Sequence, residues 1–113
     1  FHHDKKADAP SGTAIKTADL IVETAGEVNK TVLKEEELIE GARGGNRQNI
    51  PIHSVRMPGF VASQEVILGG LGQTLTIRHD SIHRESFMPG VVLALKKSND
   101  VKGLIYGLEK ILG

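Results

Sequence analysis

The sequence predicts an α+β domain, with a small mixed or antiparallel sheet packed against helices. Three features lead there. Apolar residues recur at helical spacing between Ser11 and Glu27, Thr74 to His79 alternates cleanly behind a glycine-rich bend, and an apolar run begins at Val91 behind Pro89-Gly90. Strands gathered between helices, instead of alternating with them one by one, belong to the α+β class.

The first helix is expected from Ser11 to about Glu27. Ala14, Ala18, Ile21 and Ala25 form one stripe, with Ile15 and Val22 beside it, which is the spacing of a helix face. Pro10 and Ser11 suit its entrance, since serine caps open N–H groups and proline tolerates a first turn; Gly26 and Asn29 offer a stop. Val32 to Ile39 reads as a second, shorter amphipathic piece, with Lys34-Glu35-Glu36-Glu37 as a solvated helix surface. Gly41 to Pro51 breaks regularity and predicts a mobile loop carrying Arg43 and Arg47. Ile52 to Met57 is a candidate strand ended by Pro58-Gly59, a turn pair. Glu65 to Leu68 and Thr74 to His79 predict an antiparallel hairpin bent at Gly69-Gly70-Leu71-Gly72. In its second strand Leu75, Ile77 and His79 share one face, which makes His79 a core histidine. Val91 to Lys97 predicts a mostly buried helix with two lysines at its C-terminal end, where the helix dipole favours cations. Val101 to Leu112 is weakened as a helix by Gly103 and Gly107, so a short strand and a helical turn fit equally.

Composition narrows the function. The chain has 113 residues, enough for one domain with a modest core. Lys and Arg balance Asp and Glu at 14 each, and no segment supplies the basic surplus that a nucleic-acid-binding face requires. No apolar run approaches the roughly 20 residues of a membrane span. There is no cysteine, which removes disulfides and thiolate metal sites and is compatible with the cytoplasm. Internal repeats and low-complexity tracts are absent. A start at Phe1 with an elaborate motif directly behind it suggests a piece of a longer protein.

That motif is Phe1-His2-His3-Asp4-Lys5-Lys6-Ala7-Asp8-Ala9-Pro10-Ser11-Gly12-Thr13. His2 and His3 admit three readings: a metal pair, a proton-transfer pair, or the remnant of a purification tag. Neighbouring residues point apart in most backbones, and a metal site without cysteine would have to recruit Asp4 or Asp8. Histidine titrates near neutrality and can exchange protons there. Lys6, four residues from His2, would bind an anion and lower the imidazole pKa through like-charge repulsion. Taken alone, Lys5 and Lys6 are as well explained as surface cations. Ser11-Gly12-Thr13 could hold a carboxylate or phosphate on the free N–H groups of a helix start, with Gly12 allowing close approach, or could simply be a cap. Ser11 lacks the surroundings of a nucleophile elbow, and no Walker loop is present. A second polar cluster, His79-Asp80-Ser81-Ile82-His83-Arg84-Glu85-Ser86-Phe87, lies at a strand end, where Arg84 could clamp a carboxylate.

Read as a whole, His2-His3-x-x-Lys6-x-Asp8-x-Pro10-Ser11-Gly12-Thr13-Ala14 resembles the signature of the bacterial 4-hydroxy-tetrahydrodipicolinate (dihydrodipicolinate) reductase family. The likeness continues through Arg56-Met57-Pro58-Gly59, Gln64-Glu65-Val66-Ile67, His79-Asp80-Ser81, Arg84-Glu85-Ser86-Phe87 and Gly90-Val91. It implies an enzyme of the diaminopimelate route to lysine, cytoplasmic and homotetrameric, that joins a dinucleotide-binding domain to a C-terminal domain for substrate and assembly. The Gly-rich fingerprint of a Rossmann unit is missing here, so the resemblance implies that residues 1–113 are the C-terminal domain alone, inactive without its cofactor half.

By the same resemblance His2 falls on the catalytic histidine and Lys6 on the catalytic lysine, a proton donor. His3, Gly12 and Thr13 fall on positions that bind the cyclic dicarboxylate, with Ser11 in the same loop, and Arg84 and Phe87 match residues near the cleft. NADH or NADPH would deliver hydride, held mainly by the other domain; no metal is implied. Two other functions compete: a tetramerisation module without an ordered active site, and a metal-binding module built on His2, His3 and Asp4.

Overall fold

The computed structural model describes residues 1–30 and 34–113. Helix α1 spans Gly12–Ala25. Ser11 begins it with extended backbone, and its hydroxyl accepts from Ala14 N–H at 3.2 Å, satisfying one donor that a helix start leaves open. Gly26 ends it at φ 75°, donating its N–H to the Val22 carbonyl at 2.9 Å, a left-handed turn that glycine adopts without a Cβ penalty. The expected bounds therefore hold to within two residues.

Gly41 to Pro51 is more regular than its composition suggests. Strands β1, Gly45–Arg47, and β2, Ile50–Ile52, pair antiparallel across Gln48 and Asn49, which take φ 51° and 66°. Two consecutive positive φ values supply the twist of a two-residue hairpin. The predicted strand from Ile52 to Met57 is displaced: β2 ends at Ile52, and only Arg56 pairs further on, as an isolated bridge. Arg47 tethers this hairpin to α1, donating from Nε and Nη2 to the two oxygens of Asp19 at 2.8 and 3.0 Å, with Gln48 Nε2 adding a third bond at 2.8 Å. These bonds hold the Asp19 carboxyl below the usual carboxylate range.

The main hairpin is β3, Ala62–Gly70, against β4, Gln73–Ser81, turned by Leu71 and by Gly72 at φ 69°. Gly69 and Gly70 continue the ladder instead of closing it. The register sets Val66 opposite Ile77 and Leu68 opposite Leu75 on one face, and Glu65 opposite Arg78 on the other, as the alternation predicted. His79 is exposed and is not a core residue. At the open end, His2 bridges Arg56 in parallel and Ala62 antiparallel, which makes the pairing mixed.

A single 3-10 turn, Arg84–Phe87, leads into α2, Met88–Lys97, with Pro89 in its first turn and Lys96 and Lys97 in its last. The helix was expected to be mostly buried. It has no buried residue, and Leu95 is 66% exposed. Val101 to Leu112 forms no strand, only a 3-10 turn at Leu108–Ile111. Of the predicted Val32–Ile39 piece, Val32 and Leu33 lie outside the described residues, while 34–39 are exposed and carry no helix.

The core is correspondingly thin. Ala18 is the one fully buried hydrophobic side chain among the described residues. The chain exposes 9401 Å², whereas a compact monomer of its mass exposes about 6,000 Å². Its radius of gyration is 17.2 Å, against about 13 Å for a compact chain of this length. The aliphatic residues are patterned for burial, but this chain alone does not bury them.

One glycine is required by the fold. At Gly44, φ is 76° and an added Cβ would lie 2.5 Å from the Ile52 carbonyl oxygen, whereas at Gly12 it would meet nothing within 4 Å. Gly44→Ala is expected to lower stability by about 1–3 kcal/mol, and Gly12→Ala to leave it intact. Urea unfolding of the two variants side by side checks the contrast.

Candidate functional site

The backbone of residue 2 is held on both sides. His2 N–H donates to the Val55 carbonyl at 3.0 Å, and Met57 N–H donates to the His2 carbonyl at 3.2 Å. On the other flank Ser63 N–H donates to the Phe1 carbonyl at 2.8 Å, and the Phe1 ammonium donates to the Ser63 carbonyl at 2.9 Å. Phe1 packs on Phe60, ring centroids 5.3 Å apart, and lies under the Arg78 guanidinium at 5.1 Å. Residue 2 is thus held by backbone bonds on both flanks, between the Arg56 segment and the start of β3.

The imidazole is half-buried, and its Nδ1 is buried without a hydrogen-bond partner. Burial pushes the His2 pKa below its ordinary 6.5, and the positive charges of Arg56, Lys6 and His3 push the same way. His2 is therefore mainly neutral near pH 7.

From His2 the chain turns, with Lys6 N–H donating to the His3 carbonyl at 3.2 Å, and runs through a cis Ala9–Pro10 bond to the cap of α1. Lys6 Nζ donates to Asp8 Oδ1 at 2.7 Å, and this contact holds the Asp8 carboxyl below the usual range. The Asp8 backbone carbonyl accepts from Arg56 Nη2 at 2.8 Å. Ser11 is buried and spends its oxygen on the cap. Gly12 and Thr13 are exposed, and neither amide donates a hydrogen bond among the described residues. The Thr13 carbonyl accepts from Thr17 Oγ1 at 2.8 Å, and Thr17 Oγ1 in turn accepts from Gln64 Nε2 at 3.0 Å. A strand side chain is thereby linked to the first turn of α1.

The structure thus strings His2, His3, Lys6, Ser11, Gly12 and Thr13 along one segment. His2 and Ser11 also share a cleft of about 910 Å³ between α1 and the sheet, walled in part by Arg56, Ser63 and Gln64. Arg84 and Phe87 sit apart on the turn before α2, and no hydrogen bond or ion pair joins Arg84 to the 2–13 segment. Sequence reasoning assigned no role to Arg56, Thr17 or Gln64, and considered Asp8 only as a metal ligand. Arg56 carried a signal, its place in Arg-Met-Pro-Gly, but the contacts of Arg56 and Gln64 span 48 and 47 residues and have no local mark. Among the described residues no three His, Asp or Glu side chains converge as metal ligands, and no helix is long and apolar enough to cross a membrane.

Comparison with known proteins places the chain in a family. The family model described as "Dihydrodipicolinate reductase, C-terminus" matches residues 1–112. The chain belongs to that family. It is 59% identical to the 4-hydroxy-tetrahydrodipicolinate reductase of Gloeothece citriformis over 99% of its own length and 41% of the relative's. It is 60% identical to that of Listeria innocua over 99% and 43%. The dipicolinate-bound dihydrodipicolinate reductase from Paenisporosarcina sp. TG-14 matches with a TM-score of 0.82 and 51% identity, over 98% of this chain and 42% of that one. The chain therefore spans about two fifths of the length of these reductases, and the likeness confirms the α+β fold of the family's C-terminal domain.

The depressed His2 pKa carries a pH signature. Between pH 6.5 and the lower folded value, the unfolded chain binds a proton that the folded chain does not. Stability then rises with pH, so it is fully present above pH 6.5 and declines as the pH falls through that window. Urea midpoints between pH 7.5 and 5 are expected to fall, and His2→Gln to flatten that slope.

Proposed function

We propose that this chain is the substrate-side half of an NAD(P)H-dependent 4-hydroxy-tetrahydrodipicolinate reductase of the diaminopimelate route to lysine. In this reading it binds the cyclic dicarboxylate and supplies the proton that completes its reduction. The observation that carries the reading is the His2–Thr13 segment, anchored as sheet at one end and as a capped helix start at the other, within a chain whose residues 1–112 match the family.

The chemistry fits a dianion. The free amides of Gly12 and Thr13, at the positive end of α1, suit one carboxylate, and Gly12 keeps the approach open. Lys6 is the remaining cation of the segment positioned by a partner, and its exposed contact to Asp8 is of the kind that contributes little stability. Its ammonium can therefore turn to a ligand carboxylate or give up a proton. A neutral His2 is a poor acid at pH 7, which favours Lys6 as the proton donor and His2 as a hydrogen-bond donor to charge developing on the substrate. A bound dianion raises the His2 pKa toward its ordinary value, coupling proton uptake to binding. His3 and the Ser11 hydroxyl proton complete the anion's surroundings.

NADH or NADPH needs a Gly-rich turn within a βαβ unit. The described strands form antiparallel hairpins without such a crossover, so these residues do not fit the dinucleotide, and the hydride step belongs to another part of the polypeptide. In the full-length polypeptide, His2→Gln and Lys6→Ala are expected to lower kcat by about 100-fold or more while it stays folded. Native turnover in both variants removes the assignment.

A second role accompanies the first. Leu75 and Ile77 are 57% and 58% exposed on β4, and the excess surface of the chain calls for a cover. We propose that copies of the domain assemble as a homotetramer through this sheet. Light scattering on the full-length polypeptide is expected to give the mass of four copies, and a monomer would overturn it.

A further inference from the structure

We infer that Arg56 is a positioning residue for this site: its guanidinium holds Asp8, and through Asp8 the Lys6 ammonium, in register with His2. The inference rests on the reading of the segment as the substrate-side site and goes beyond it by adding a residue that touches neither substrate nor reacting atoms.

Four observations converge on Arg56. Its backbone is the parallel bridge partner of His2, flanked by the two hydrogen bonds that fix residue 2. Its Nη2 donates to the Asp8 carbonyl at 2.8 Å and its Nη1 to the Val55 carbonyl at 2.9 Å. Among the described residues, the bond to Asp8 is the one hydrogen bond that joins residues 3–10 to the rest of the chain. Finally, Arg56 forms no ion pair among the described residues, and its Nε is buried without a partner, as is His2 Nδ1. A partly buried cation with only carbonyl partners forgoes the stabilisation a carboxylate would give. What it gains is geometry: the same side chain fixes a loop carbonyl and sits beside the strand that carries His2.

The arrangement requires a fork. A planar guanidinium spans the two carbonyls, which a lysine ammonium meets as a single point charge. Without that fork the 3–10 turn is tied down only at its ends, and Lys6, paired to a residue of the same turn, moves with it. Arg56 also contributes charge. It acts on His2 together with Lys6 and His3, all of the same sign.

The test uses the full-length polypeptide, with R56M and R56K compared with H2Q and K6A. In R56M, kcat/KM for the cyclic dicarboxylate is expected to fall by about tenfold to 100-fold, the loss that follows an ångström-scale misplacement. Its acid limb in the pH–rate profile is expected to move toward higher pH, because one positive neighbour of His2 is gone. R56K keeps the charge and loses the fork, so it is expected to restore the limb while kcat/KM stays at least threefold low. A merely structural role would reduce the active fraction without moving the limb. Native kcat/KM and an unmoved limb in R56M overturn the inference while leaving the site reading intact, provided H2Q and K6A are impaired. Native turnover in H2Q and K6A overturns the site reading itself. If R56M does not fold, R56K decides: native kcat/KM there shows that no fork is needed and overturns the inference.

Discussion

The pairing of His2 between the Arg56 segment and Ala62 is the constraint on which the site depends. Backbone hydrogen bonds from Val55, Met57 and Ser63 set the position of residues 1 and 2 to within the tolerance of a sheet ladder. Everything that follows in sequence is measured from that point. The turn through Lys6 and Asp8 leaves it, and the capped start of α1 receives the chain at Ser11. Because each end is fixed by backbone bonds, the intervening residues can spend their side chains on a ligand. Catalytic geometry needs such preorganisation, since a group that must first be ordered loses the advantage of proximity.

Stability and function divide differently over the rest of the molecule. The ion pairs Arg47–Asp19, Arg78–Glu65 and Lys16–Glu109 tie elements together at the surface, where such contacts contribute modestly and weaken with salt. With Ala18 as the one buried hydrophobic among the described residues, they cannot stand in for a core. The hairpin of β3 and β4 and the apolar side of α2 are written for burial against something larger. The chain spans two fifths of its relatives' length.

What could be read from the sequence follows from the range of the forces involved. Helix α1 and the β3–β4 hairpin were legible because periodicity, cap and turn are local signals, and the structure keeps their bounds nearly as expected. The β1–β2 hairpin was missed because Gln48 at φ 51° is a conformation its residue type does not advertise. The burial of α2 and of His79 was misjudged because an apolar run or strand face says that a partner is needed, not that this chain provides it. In the site, His2, Lys6 and Ser11–Thr13 were legible as an ordered motif. The contacts of Arg56 and Gln64 were not, since they join residues far apart in sequence.

The two ends of the motif also divide the work electrostatically. At the helix end Ser11 satisfies the Ala14 amide and so leaves those of Gly12 and Thr13 pointing outward and unspent. The chain Gln64 to Thr17 to the Thr13 carbonyl keeps that first turn from fraying. This end carries a fixed, neutral dipole whose strength does not depend on pH. At the sheet end, charge is mobile. His2 is kept neutral by burial and by surrounding cations, while Lys6 pairs with Asp8. In the proposed reading, a bound dianion would offset the repulsion that His2 feels and compete with Asp8 for Lys6.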